Sequence, residues 1–313
     1  MKAAQISLYG DPSVIELRKT NKPSLAAGQV LVEVYAASLN PFDSAVLAGY
    51  TKDIMPLAFP TTLGGDIAGI VVEISDDVTG IAVGDKVYGQ ASVFGGNSGA
   101  LAEFAATKST QVSLAPGNVD FKQAASLVLV GVSAVQALTE LIGLRPGQKI
   151  FIHGGSGGIG SIAIQIAKNI DAYVATTATG DNITLVKNLG ADEVIDYKSQ
   201  DFADLLKDYD AVFDTVGGDD FAKSLIVLRP GGMAISMVVK FDAAKANKLG
   251  IKTLQQSTQV TTERLNALTD LVEAGVITPR IGQIFPLDQT SQAFDARQSG
   301  KIQGKIVVEI KKL

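Results

Sequence analysis

KIFIHGGSGGIGSIAIQIAK, residues 149–168, reads as an apolar run, a glycine-rich turn and then a helix. Lys149 to His153 has the composition of a short buried strand. Gly155, Gly157 and Gly160 follow it in the spacing G-x-G-x-x-G. Ile159, Ile162, Ala163, Ile166 and Ala167 then recur at helical intervals, which gives the helix one face to lay on a sheet. Glycine permits a tight strand-to-helix turn and lets the backbone approach a pyrophosphate, while the helix start offers unpaired N–H groups and a partial positive charge. Strand, turn and helix together point to a dinucleotide-binding turn with Ser156, Gly157, Gly158 and Ile159 as its ligand-facing residues.

Two other motifs overlap the same residues. Gly154 to Gly158 also spells G-x-S-x-G, the nucleophile elbow of hydrolases, but that chemistry needs a histidine later in the chain. The single histidine, His153, precedes the serine, so the base is missing. A P-loop needs a Gly-Lys followed by Ser or Thr, and no lysine occurs between 150 and 167. A methyltransferase wants an acidic residue gripping a ribose, which the strand end at 174–180 lacks.

The 313 residues suffice for two domains of ordinary size. Hydrophobic residues make up 46% and charged residues 19%, the balance of a soluble globular chain. A net charge of −5 and no basic run longer than Lys311-Lys312 argue against a nucleic-acid partner. There is no cysteine, which removes disulfides, thiol nucleophiles and thiolate metal sites together. The first residues lack the apolar core of a signal peptide, and the most apolar stretch, Ser126 to Leu138, is shorter than the ~20 residues of a membrane span. A cytoplasmic location is expected.

The first 120 residues are β-rich, with runs at Val30–Val34, Ile70–Ile74 and Lys86–Tyr88 between turn residues. GQASVFGGNSGA (89–100) has few side chains to anchor it and reads as a mobile connector or a lid. After 121 helical spacing appears, and after Pro146-Gly147 strands and helices alternate: a strand at Ala172–Thr176, a helix near Thr184–Leu189, a strand at Glu193–Asp196, a helix near Ala203–Lys207, a strand at Asp210–Asp214, a helix over Asp220–Leu228 and a strand over Met233–Val238. This alternation implies a parallel sheet with helices on both faces. The tail carries a helix near Glu263–Ala274, an extended piece at Ile281–Phe285, a helix begun by Asp288 and a closing strand Lys305–Ile310.

VEVYAASLNPFD (32–43), LGGDIAGIVVEI (63–74), VGDKVYG (83–89), GGSGGIG (154–160), LGADEVIDY (189–197) and GKIVVEI (304–310) together resemble the medium-chain dehydrogenase/reductase superfamily. The match is to its zinc-free quinone oxidoreductase, zeta-crystallin-like and alkenal or enone reductase branch, over essentially the whole chain. The resemblance implies an α/β protein: a GroES-like β-rich catalytic domain at 1–120, completed by 261–313, and a doubly wound parallel Rossmann domain at 121–260. It implies a cofactor in the cleft between them and a homodimer. In zinc-dependent relatives a cysteine stands where Asn40 stands, a His-Glu pair where Gly65-Asp66 stands, and a further cysteine near Val130. Of these only Asp66 is able to ligate, so no zinc is expected.

A carboxylate about 20 residues beyond the glycines would grip an NAD ribose. Val174 to Gly180 contains none. Thr177 and Thr179 are able to donate to a 2′-phosphate, or serve as turn and helix-cap residues, and the resemblance adds Tyr197 at that end of the cofactor. NADPH is expected over NADH, with a preference weakened by Asp181, where several relatives carry a lysine or arginine. Ser133 and Asn40 match residues near the nicotinamide. Val216, Ser236 and Val238 follow strand ends, where ligands bind in such sheets.

The resemblance implies hydride transfer to a small-molecule quinone or α,β-unsaturated carbonyl. Tyr50 or water would bring the proton and Asn40 would serve as oxyanion donor; Tyr50 also fits a loop aromatic lining the cleft. His153 reads as a packed strand-end residue, and Asp43 and Asp66 as fold-stabilising carboxylates. A nucleotide-binding redox sensor or structural protein of the same fold, without turnover, is the alternative.

Overall fold

Ile150, Phe151 and Ile152 are wholly buried, so the strand Lys149–His153 is covered on both faces, as a continuous apolar run requires. The structure, a computed structural model, describes residues 1–312, with the backbone alone at 219–221. It divides into two units: Met1–Leu129 with Val260–Ala274 and Pro279–Leu313, and Val130–Gln259 with Gly275–Thr278.

The second unit is built on six parallel strands in the order Glu193–Asp196, Tyr173–Ala178, Lys149–His153, Tyr209–Asp214, Leu228–Ser236, Lys252–Gln255. By chain position this is 3-2-1-4-5-6, the doubly wound order whose direction reverses between Lys149–His153 and Tyr209–Asp214. Ligands lie beyond the carboxyl ends of the strands at such a reversal. Helices at Gly158–Asn169, Asn182–Asn188 and Phe202–Leu205 fill the early crossovers.

One crossover differs from the sequence reading. Residues 219–225 form a short 3-10 helix, and the next strand starts at Leu228, earlier than the expected Met233. Pro230, which lacks an N–H, sits in a bulge: Tyr209 pairs Leu228, but Ala211 next pairs Met233.

The first unit carries a seven-stranded sheet around the long strand Gln29–Leu39, which pairs antiparallel with Asp66–Ile74, Phe104–Lys108 and Lys305–Glu309. The pairing of Ile306 with Leu39 carries the end of the chain back beside residue 40. Val32, Val34, Ile67, Val87, Phe294 and Val308 lie in its core.

The unit boundary falls at Leu129, nine residues beyond the expected 120. The first part of the helix Phe121–Val135 is anchored in the first unit: the Phe121 ring lies 4.7 Å from that of Tyr35, and Lys122 Nζ is 3.2 Å from Glu309. The helix runs on through a π-type turn, with Ile142 N–H donating to Ala137 O, so the apolar helical stretch Phe121–Leu141 reaches 21 residues rather than the shorter run expected. Of its apolar window 78% is buried within the protein. The connector 89–100 is anchored: Asn97 Nδ2 donates to Gln111 Oε1 at 2.9 Å, and Ser98 Oγ accepts Ala106 N–H.

Candidate cofactor and active site

The three fingerprint glycines do three different things. A Cβ on Gly155 would stand 2.1 Å from Thr176 Oγ1, which is pinned by donating to Ile152 O at 2.6 Å. A Cβ on Gly160 would stand 2.2 Å from Gly154 O, so the helix packs directly on the turn. Gly157 is different: it is exposed, and the nearest atom to its Cβ position is Gly154 O at 3.3 Å. It is also the N-cap of Gly158–Asn169, and no side chain caps that helix. The first N–H groups, on Gly158 and Ile159, therefore face an open, shallow cradle with a partial positive charge. Ile159 begins the apolar face of this helix but is only half-buried in its first turn, and Ser156 is half-buried in the glycine turn before it. The turn fits a pyrophosphate.

At the end of Tyr173–Ala178, Thr177 is buried and its Oγ1 accepts Gly154 N–H at 3.0 Å, which ties it to the glycine turn. The strand register pairs Ala178 with Asp196. Residues 174–180 carry no carboxylate of their own; the neighbouring parallel strand brings one to this end of the sheet. The Thr179 hydroxyl first, then the Lys198 backbone N–H, hold the Asp196 carboxyl below its usual range. Tyr197, beside it, is 56% exposed, and Asp181 caps the helix Asn182–Asn188 without a side-chain bond.

Asp214, passed over in the sequence, organises the next strand ends. Burial raises its pKa, but His153, the Gly217 N–H, the Ser236 hydroxyl and the Val216 N–H outweigh that and hold it low. Ser236 Oγ donates to Asp214 Oδ2 at 2.7 Å and accepts from the N–H groups of Val238 and Val239. Its hydroxyl is thus spent within the protein, and it shapes the loop rather than offering a free group. Val216 and Val238 are about half exposed at these strand ends. His153 is packed against Phe151 and Phe202, whose rings also touch each other, with Nδ1 3.2 Å from Asp214. Ser133 is buried, with its hydroxyl 2.8 Å from that of Thr258.

In the first unit Asn40 is 2% exposed at the N-cap of Pro41–Leu47. Its backbone N–H donates to Asp43 Oδ2 at 2.7 Å, its Nδ2 to Asp66 Oδ2 at 2.7 Å, and its Oδ1 accepts from Lys305 Nζ at 2.5 Å. Burial pushes the Asp43 carboxyl up to about 7, against the Asn40 N–H and with the help of Asp66. Burial likewise raises Asp66 and lowers Lys305, each opposed by the other. Tyr50 lies past the other end of this seven-residue helix, about 10 Å along its axis, and is 85% exposed. The two candidates for chemistry are therefore not brought together. Lys305 was missed because nothing near it in sequence marks it; only the strand register sets it beside Asn40. Among the described residues no three His, Cys, Asp or Glu side chains gather as metal ligands.

Residues 26–117 match the alcohol dehydrogenase GroES-like domain family, and residues 189–308 the zinc-binding dehydrogenase family. A 2-methylene-furan-3-one reductase of Solanum lycopersicum is 35% identical over 98% of this chain and 79% of its own length. An NADPH-dependent alkenal/one oxidoreductase of Arabidopsis thaliana, chloroplastic, is 34% identical over 98% and 79%. The solved structure of a quinone oxidoreductase from Coxiella burnetii superposes with a TM-score of 0.90 at 32% identity, covering 99% of each chain.

Proposed function

The chain belongs to the quinone oxidoreductase and alkenal reductase branch of the medium-chain dehydrogenase/reductase superfamily, and from that premise we propose that it is a zinc-independent, NADPH-dependent reductase of quinones or α,β-unsaturated carbonyls. The observation that carries the cofactor assignment is the open Gly157 cradle at the uncapped start of Gly158–Asn169. Ser156, Gly157, Gly158 and Ile159 hold the pyrophosphate; Thr177, Thr179 and Tyr197 serve the ribose-phosphate end; Ser133, Val216 and Val238 serve the nicotinamide end. Bound NADPH would supply a hydride to the electron-poor carbon of the acceptor.

Asn40 carries a second Nδ2 proton beyond the one given to Asp66, and serves as donor to the acceptor oxygen as negative charge grows there. Water brings the proton to the reduced product, since Tyr50 stands in solvent away from Asn40. Zinc independence is supported by Lys305, whose ammonium occupies the cluster where relatives with zinc hold their ligands. A homodimer is part of the same reading, supported by the family resemblance, and a cytoplasmic location is proposed with it from the soluble-type balance of 46% hydrophobic and 19% charged residues.

The test adds a panel of small quinones, enals and enones to purified protein with NADPH and follows the cofactor's near-ultraviolet absorbance. Consumption with at least one class is expected; binding without consumption would favour a sensor. Light scattering of the same sample is expected to give twice the 32.6 kDa chain.

A further inference from the structure

Lys305 and Asp66 form a buried ion pair that the hydride chemistry does not explain. Such pairs are weak contributors to stability, because desolvation offsets their attraction. Their partners point to another role. Lys305 Nζ donates to Leu39 O at 2.9 Å and to Asn40 Oδ1 at 2.5 Å, and lies 3.7 Å from Asp66 Oδ2. Asp66 Oδ2 in turn accepts from Asn40 Nδ2 at 2.7 Å and from Ser38 Oγ at 3.0 Å.

An ammonium only donates, and an ionised carboxylate only accepts. The Asn40 amide sits between the two. Flipping it would turn its NH2 toward the ammonium and its oxygen toward the carboxylate, so both contacts would become repulsive. Asp43 fixes the backbone of the same residue from the other side. Three strands, Gln29–Leu39, Asp66–Ile74 and Lys305–Glu309, deliver these groups to one point.

We propose that Lys305 is a positioning residue: with Asp66 it clamps the Asn40 amide in one orientation, so that the second Nδ2 proton is presented as a fixed donor to the carbonyl oxygen of the acceptor. This rests on Asn40 serving the reacting end, so the experiment tests the two separately. Asn40→Ala is expected to lower kcat while the NADPH Kd, read by fluorescence titration, stays within about threefold. Unchanged kcat would remove Asn40 from the site, whatever Lys305 does.

Lys305→Met is expected to lower the melting temperature and to cut kcat about tenfold or more, since small misplacements of a positioned group cost that much. The double variant K305M/D66N removes the ion pair as a whole. It is expected to regain the wild-type melting temperature while kcat stays low and the KM for the quinone hardly moves. Recovery of both stability and kcat would overturn the clamp and leave Lys305 as a neutraliser of Asp66. Should the double variant not fold, wild-type protein labelled with 15N-asparagine decides. The Asn40 side-chain pair, identified by its loss in N40A, is expected as two resolved, exchange-protected resonances; an averaged or rapidly exchanging pair would overturn the clamp.

Discussion

Asp196 closes the strand Glu193–Asp196 beside Thr179, at the carboxyl end of the parallel strands and next to the residues proposed to serve the ribose-phosphate end of the cofactor. It is ionised and only partly buried, so its field on a 2′-phosphate is repulsive but screened by salt. Asp196→Asn is expected to raise the ratio of NADPH to NADH affinity by roughly three- to tenfold at low salt, and less at high salt. Fluorescence titration with both cofactors measures it; an unchanged ratio would show that Asp196 only braces its turn. At this scale the sequence named Thr177, Thr179 and Tyr197 but could not pair them with Asp196, because adjacency across a parallel sheet is a matter of register. Ser236 shows the converse. Its position at a strand end was legible, but only the fold reveals that its hydroxyl is spent on Asp214.

The strand, turn and helix of 149–169 form the element whose steric demands separate folding from binding. Gly155→Ala and Gly160→Ala each force a Cβ to about 2 Å from a fixed oxygen, and each is expected to destabilise the protein by about 1–3 kcal/mol. Gly157→Ala meets no atom closer than 3.3 Å, and its backbone, at φ −72°, is one any residue adopts. G157A is therefore expected to melt near wild type yet bind NADPH about tenfold more weakly, because its methyl narrows the cradle. Thermal unfolding alongside NADPH titration distinguishes the three variants; equal losses of stability would refute this division of roles. The element itself was legible because glycine spacing and helical periodicity are local properties. The bulge at Pro230 was not, since it depends on how Leu228–Ser236 pairs with Tyr209–Asp214.

For the whole molecule, the cluster of Asp43, Asp66 and Lys305 ties residues from both ends of the chain, and it should leave a mark on stability against pH. Burial raises the Asp43 carboxyl from the ordinary 3.8 to about 7 in the folded state. The folded protein therefore holds that proton more tightly than the unfolded chain. The stabilising effect of protonation is complete below about pH 4 and is lost as pH rises to about 7. Asp43→Asn lacks this loss, and the amide oxygen that replaces the carboxylate still accepts the Asn40 N–H. The stability of D43N relative to wild type is expected to increase by about 1–3 kcal/mol between pH 5 and pH 8, read from denaturant unfolding at each pH. A pH-independent difference would place the Asp43 pKa in the ordinary carboxylate range.

Sequence alone determined the parallel α/β sheet, the glycine turn and the absence of thiol chemistry, because periodicity, glycine spacing and composition are written along the chain within a few residues of one another. The tertiary structure alone decided which carboxylate stands beside Thr179 and which cation stands beside Asn40. Asp196 and Thr179 are 17 residues apart and Lys305 and Asn40 are 265 apart. Each pair meets through a strand register, which depends on the packing of whole sheets.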